Sequence, residues 1–173
     1  MSKEPAVASG IAVAENALSQ YLTFALGDDV FAMDIRTVRE IIQYSAMTTV
    51  PLMPDFVHGV INLRGAVVPV IDLQARFGRR RAGVNKKTCI VIVDLSRESE
   101  KVELGLMVDA VIEVIDIPRA HIEPPPQFGA SIQRDFILGM GKVAGEFIVI
   151  LEPERALSID DMAPLVEKTS MRL

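Results

Sequence analysis

The residues of this chain that could do chemistry are few and scattered. Two histidines, His58 and His121, stand far apart, and Cys89 is the single cysteine. A cysteine–histidine nucleophile needs the base within hydrogen-bond reach of the thiol. Cys89 sits in the apolar run TCIVIVD, where a free cysteine ordinarily serves as a small packing residue. His58, in FVHGVI, reads as a structural or surface histidine. No HExxH, CxxC or EF-hand loop occurs, so a metal site has few candidate ligands, and no cofactor is expected. Gly139-Met-Gly141-Lys-Val-Ala144 fits the dinucleotide pattern G-x-G-x-x-A, with Asp160 and Asp161 about 20 residues on. That fingerprint must open a helix whose N-terminus holds a pyrophosphate. Here EFIVIL follows, so the glycines read as a hairpin turn. The absence of a catalytic constellation points to a binding protein.

One residue remains anomalous. In VINLRGAVVPVIDL (60–73), Arg64 stands among residues patterned as buried strand. A guanidinium is always charged and costly to desolvate, so it needs a carboxylate partner or a binding task. Glu40 in VREI is the candidate partner, able to form a bidentate pair at the edge of a core. The other reading is that Arg64 snorkels to solvent with its stem packed on valines. The residues alone leave both open.

The elements that must position these groups follow from periodicity. YLTFALGDDVFAMDI (21–35) alternates on both sides of Gly27-Asp28-Asp29 and reads as a β-hairpin. Ile35, Val38, Ile41 and Ile42 fall at helical spacing, predicting a short helix with Glu40 at the border of its apolar stripe. Pro69 restricts AVVPVIDL to a sheet edge or a bulge. TCIVIVDLS (88–96) is a continuous apolar strand, and ELGLMVDAVIEVIDI (103–117) one bent strand or two, with Gly105 as a bulge or close-approach point. FILGMGKVAGEFIVIL (136–151) is a second hairpin, followed by a short helix after Pro153. Six to ten short strands with two or three small helices suggest barrels or a sandwich rather than βαβ units. Internal repetition is faint, amounting to a hairpin and an aspartate-ended strand (VPVIDL, IVIVDL) in each half.

Composition narrows the class further. Half of the 173 residues are apolar, aromatics are 5% and Trp is absent, so the core must rest on Val, Ile, Leu and Met. A net charge of −5 argues against a nucleic-acid protein. A lone cysteine excludes an internal disulfide framework, and the N-terminus makes a poor signal peptide, so a cytoplasmic protein is expected. RFGRRRAGVNKK (76–87) holds six of the 18 basic residues and no acid. Such a run reads as a solvated loop, or else as a dock for an acidic protein surface. Residues 1–18 read as a mobile tail and 158–173 as a C-terminal helix or tail, leaving 19–157 as the domain.

FALGDDVFAMDIRTVREI, FVHGVINLRGAVVPVIDL, LGLMVDAVIEVIDI and LGMGKV…FIVIL, in this order, resemble the CheW-type chemotaxis coupling proteins from about Gln20 to Leu157. The resemblance implies two small five-stranded β-barrel subdomains packed around a shared apolar core. It implies no enzymatic activity but an adaptor, joining chemoreceptor signalling tips to the regulatory domain of the chemotaxis histidine kinase. It places the protein in the cytoplasm, associated with the inner membrane through receptor arrays. Carried onto this chain, the receptor-binding groove comprises Ile35, Val38, Glu40 and Ile41 on one side and Val114 on the other. Arg64 lies beside it, paired with Glu40. Gly59, Gly65 and Gly105 match family glycines, in turn and bulge roles. The basic run and the prolines at 124–126 depart from the family pattern. Alternative readings are the same kind of adaptor in a non-flagellar chemosensory array, or a small-ligand binder or enzyme built on a β-barrel.

Overall fold

The computed structural model describes residues 18–79, 83–97, 100–125 and 136–157. The expected N- and C-terminal tails lie outside these residues, apart from Leu18, as do one proline of the 124–126 run and residues 80–82 of the basic segment. Strands β1 (Leu18–Leu26) and β2 (Asp29–Asp34) form the first hairpin, as their alternation requires. Gly27, at φ 62°, makes its turn, and its N–H donates to the Asp109 carboxylate at 2.6 Å. A single 3-10 turn (Ile35–Thr37) leads into β3 (Val38–Gln43). Then follow β4 (Val57–Leu63), β5 (Ala66–Asp72), a one-turn helix α1 (Leu73–Arg76), β6 (Cys89–Arg97), β7 (Glu100–Val108) and β8 (Ala110–Pro118). A second 3-10 turn and the short β9 (Ile122–Glu123) precede the hairpin β10 (Ile137–Val143) and β11 (Glu146–Leu151), then helix α2 (Pro153–Ala156).

Two sheets result. The first has the order β8-β1-β2-β11-β10-β9 and the second β3-β6-β7-β5-β4. Both hairpins of each sheet are antiparallel and join through a parallel pair, β2 with β11 and β5 with β7. Strand period 2 then gives each sheet two apolar faces. Val91, Val93, Ile71 and Leu106 of the second sheet meet Leu22, Phe24, Phe31 and Leu151 of the first in one shared core. On the other face of the second sheet, Val68, Val70, Ile90, Ile92 and Met107 form a smaller cluster. Tyr21, Ala32, Ile117 and Ile150 do the same for the first. Aliphatic residues fill most of these cores, as expected, but Phe24, Phe31, Phe77 and Phe136 run ring to ring through the shared one.

The topology repeats within the chain, as an internal duplication would leave it, and the two copies of the unit exchange strands. β1 corresponds to β6 at an offset of 69 residues (Thr23 to Ile92), β2 and β3 to β7 and β8 at 73 (Ala32 to Gly105, Glu40 to Glu113), and β4-β5-α1 to β10-β11-α2 at 80 (Val57 to Ile137). Thr23 pairs with Ala32 and Glu113, and its counterpart Ile92 pairs with Gly105 and Glu40. Register shifts fall at equivalent places, Val57/Gly59 and Ile137/Gly139. A Cβ on Gly59 would come within 2.7 Å of the Thr48 carbonyl oxygen, and one on Gly139 within 2.8 Å of the Glu123 oxygen. Each sheet therefore takes its central hairpin from one copy and its remaining strands from the other. VPVIDL (68–73) has its structural counterpart in IVILEP (148–153), with Glu152 at the place of Asp72, and not in IVIVDL.

The mainly β fold with short helices and two sheets agrees with the expected two subdomains, β9 adding a short sixth strand to the first sheet beside β10. Two further expectations are corrected. The helix expected over Ile35–Tyr44 is a single 3-10 turn followed by strand β3. Two adjacent β-branched residues, Ile41 and Ile42, and a ladder to β6 outweigh the helical spacing. Pro69 is on an interior strand, without a bulge at its own position. Its partner Val60 turns its N–H and carbonyl to Thr48, so the Val60–Pro69 pair needs no bond from the proline. On its other side the ladder to β7 starts only at Val70. The missing N–H is therefore not needed on either side.

Candidate functional site

The site is built on β3, the outer strand of the second sheet. Burial alternates along it, with Val38, Glu40 and Ile42 half-buried and Arg39, Ile41 and Gln43 exposed. The Glu40 carboxylate receives the Arg64 guanidinium, Nη2 to Oε1, at 2.6 Å. Arg64 is not within a strand. It opens the two-residue turn between β4 and β5 at φ 53°, followed by Gly65 at φ 86°. This is the double left-handed geometry of a tight hairpin, which suits Asn-Gly and penalises most residues that carry a Cβ, Arg64 here and Ala144 at the equivalent turn alike. The Asn62 side chain accepts a 3.0 Å bond from Gly65 N–H and steadies the turn. The Arg64 side chain is 67% exposed and that of Glu40 26%. The pair thus ties β3 to the β4–β5 turn at the surface, and each reading of Arg64 holds in part: it has the partner, and it reaches solvent.

Neighbouring arginines are paired as well. Arg39 reaches across the sheet to Asp94 at 3.0 Å and Glu103 at 3.3 Å. Arg36 binds Asp34 at 2.7 Å while its own N–H is capped by the same carboxylate at 2.8 Å. These hydrogen bonds hold the Asp34 carboxyl below its usual range, outweighing the opposing effect of its partial burial. Burial, reinforced by Asp34, pushes the Tyr21 hydroxyl up. The Arg39 network depends on the pairing of β3 with β6 and of β6 with β7, which no local pattern encodes, whereas the Arg36 clamp is local, its partner Asp34, two residues before it, capping the 3-10 turn.

Of the expected groove residues, the structure brings Glu40 and Arg64 together. Ile35 and Val38 are half-buried and pack against the shared core. Ile41 and Val114 are 41% and 46% exposed, one on each outer strand, β3 and β8. The duplication makes them equivalent positions. Glu113 likewise corresponds to Glu40, but Ala144, at φ 52°, stands where the first copy has Arg64. Only one half carries the ion pair. Ile112, 47% exposed, lies two residues before Val114 on β8 and is not among the expected groove residues.

The glycines behave as expected in part. Gly65 is a turn residue and Gly59 sits at a register shift. Gly105 is a close-approach point and not a bulge, since a Cβ there would meet Ile90 Cγ2 at 2.7 Å.

No catalytic grouping emerges around the residues first singled out. His58 Nε2 lies 3.0 Å from the Tyr44 hydroxyl. Cys89 is only half-buried and its thiol donates to the Lys87 carbonyl at 3.3 Å. Cavities of about 420 and 450 Å³ are lined by other residues, the first by Ser45–Thr48 and Val60–Asn62 and the second around Tyr21, Arg36 and Arg119. Among the described residues no three His, Cys, Asp or Glu side chains could hold a metal. No helix there is long and apolar enough to cross a membrane.

Comparison with known proteins agrees with this architecture. The family model of the CheW-like domain matches residues 20–161. A chemotaxis protein CheW of Klebsiella aerogenes is 30% identical over 83% of this chain and 84% of its own length. A probable chemotaxis protein CheW of Rhizobium etli is 34% identical, covering 80% of this chain and 87% of its own. Among solved structures, the scaffolding protein TtCheW from Thermoanaerobacter tengcongensis superposes with a TM-score of 0.70 at 38% identity, over 78% of this chain and 88% of that one. With its strand-exchanged sheets and a domain match that spans nearly all the described residues, this chain belongs to the CheW-like family.

Proposed function

We propose that this protein is a non-enzymatic adaptor that couples chemoreceptor signalling tips to a chemotaxis histidine kinase. The observation that carries the reading is the Glu40–Arg64 pair, set on an outer strand beside the exposed Ile41. An amphipathic receptor helix would lay its apolar stripe on Ile41 and Val114, with the exposed parts of Ile35 and Val38 alongside, the helix-in-groove mode. Glu40 and Arg64 would fix the register of that helix and reject wrong partners more than they add affinity. The kinase's regulatory domain would take a separate surface. Coupling then requires no bond chemistry: a small receptor displacement alters how adaptor and kinase sit together and biases the kinase between two states. Such a protein would work in the cytoplasm, held near the inner membrane by the receptors it binds.

The left-handed turn supports a binding role for Arg64. Holding an arginine at φ 53° works against the turn's own preference, and the ion pair at so exposed a place returns little stability. The test is reconstitution. Purified protein, a receptor signalling tip and a chemotaxis kinase are mixed, and kinase output should become receptor-dependent only when all three are present. Kinase output indifferent to the adaptor would overturn the reading.

A further inference from the structure

We infer that Arg76 is a positioning residue for coupling: it pins the two halves of the molecule to each other and so sets the placement of β3 relative to β8. Arg76 ends α1, which follows β5 of the second sheet. Its Nε donates to the Ala156 carbonyl of α2, on the first-sheet half, at 2.8 Å. Its guanidinium lies over the ring of Phe56 at 5.1 Å and that of Phe136 at 4.7 Å.

These partners are related by the duplication. Phe56 and Phe136 are equivalent residues, each accepting an equivalent backbone bond, from Asp72 N–H at 2.8 Å and from Glu152 N–H at 2.9 Å. Arg76 and Ala156 are equivalent too. Contacts of this kind place Arg76 near the axis relating the halves, where a long side chain and its own copy would compete for one volume. The chain resolves that with one arginine and one alanine. Apolar contact across the shared core is non-directional, whereas a bond at Nε and a planar cation between two rings fix orientation. Arg79 extends the clasp, pairing with Asp29 at 2.9 Å over the Phe31 ring. Part of the basic segment is therefore a fastening between halves rather than a solvated loop.

The consequence for coupling rests on the adaptor reading, since Ile41 and Val114 lie on opposite halves. The test separates the two ideas. Spin labels at Gln43→Cys and Asp116→Cys, equivalent exposed positions on β3 and β8, are placed in a Cys89→Ser background. With Arg76 intact their distance distribution should be single and narrow. Arg76→Met should shift or broaden it without receptor present, and weaken receptor-helix binding by about fivefold or more. Arg76→Lys keeps the charge but not the Nε bond or the flat stack, and should fall between. If Arg76→Met does not fold, Arg76→Lys is measured in its place. An unchanged distribution in whichever variant folds overturns the inference. Wild-type protein that binds no receptor helix would instead sink the adaptor reading and leave the distance result standing.

Discussion

Arg64 reaches Glu40 at 2.6 Å from a backbone position, φ 53°, that belongs by preference to asparagine or glycine. On the proposed adaptor reading, stability and function pull this residue in opposite directions. Arg64→Asn should raise stability by about 0.5 to 1 kcal/mol through the turn, while lowering receptor-dependent kinase activation. Ala144→Asn, at the equivalent turn, should stabilise without affecting activation. Urea denaturation beside a coupled kinase assay reads both effects. A combined Glu40→Arg, Arg64→Glu exchange that recovers activation would establish the contact, and strict additivity of the single changes would refute it. Because the pair is surface-exposed, its own contribution to folding should be no more than about 1 kcal/mol.

Ile41 offers the cleanest probe of the apolar contact. Val38 packs on the shared core, so a charge there would disturb folding as well as binding. Ile41 is 41% exposed and on the opposite side of β3 from Ile42. Ile41→Asp should leave the unfolding midpoint nearly unchanged yet weaken receptor-helix binding well before kinase binding, as titration against each partner separately would show.

Close approach at Gly59 is to backbone, at Gly105 to side chains. A Cβ at Gly59 meets the Thr48 carbonyl at 2.7 Å, part of the bridge that ties the chain after β3 to Val60. Gly59→Ala should cost about 2 kcal/mol or more, because a strand must move. Gly105→Ala should cost less but still about 1 kcal/mol or more, since it meets the γ-methyls of the fully buried Ile90 and Val70, which must shift with little room, but no backbone atom. Equilibrium denaturation of the two variants gives the order, and a larger loss at Gly105 would contradict the argument.

Asp34 ties stability to acid. Its carboxyl is held below the ordinary range by hydrogen bonds from Arg36, so its contribution is complete above the unfolded-state value near ~3.9. That contribution is lost as pH falls through the lower folded-state value. The wild-type protein should thus lose stability in this window more steeply than Asp34→Asn, which has no proton to take up. Carboxyl NMR titration of Asp34 locates the midpoint directly.

What the sequence disclosed was local. The hairpin of Leu22, Phe24 and Leu26 against Phe31 and Met33 followed from alternation around Gly27, and the glycine pattern at 139–144 was rightly rejected as a nucleotide loop. Glu40 was correctly matched to Arg64, but on a helix that does not exist. Ile35, Val38, Ile41 and Ile42 satisfy a helical period, and only the ladder to Ile90–Val93, far along the chain, makes them strand. Arg64 likewise looked like a strand residue because its neighbours are apolar on both sides. The Arg76 clasp joins α1 to Phe136 and Ala156 through pairing no local pattern encodes. The groove is an expectation that rests on family resemblance; the residues alone leave the arginine's partner undecided.

The exchanged strands carry a consequence for symmetry itself. Two separate identical polypeptides assembled this way would bear the same side chain at both turns and both helix ends. Tethered as one chain, the copies are free to diverge, so one turn holds Arg64 and the other Ala144, and one helix ends in Arg76 where its twin has Ala156. A cut between Gly83 and Lys86 would leave two fragments, each owning strands of both sheets and a finished sheet in neither. Each would need the other to fold, and only the unlike pair would restore a molecule with a front and a back.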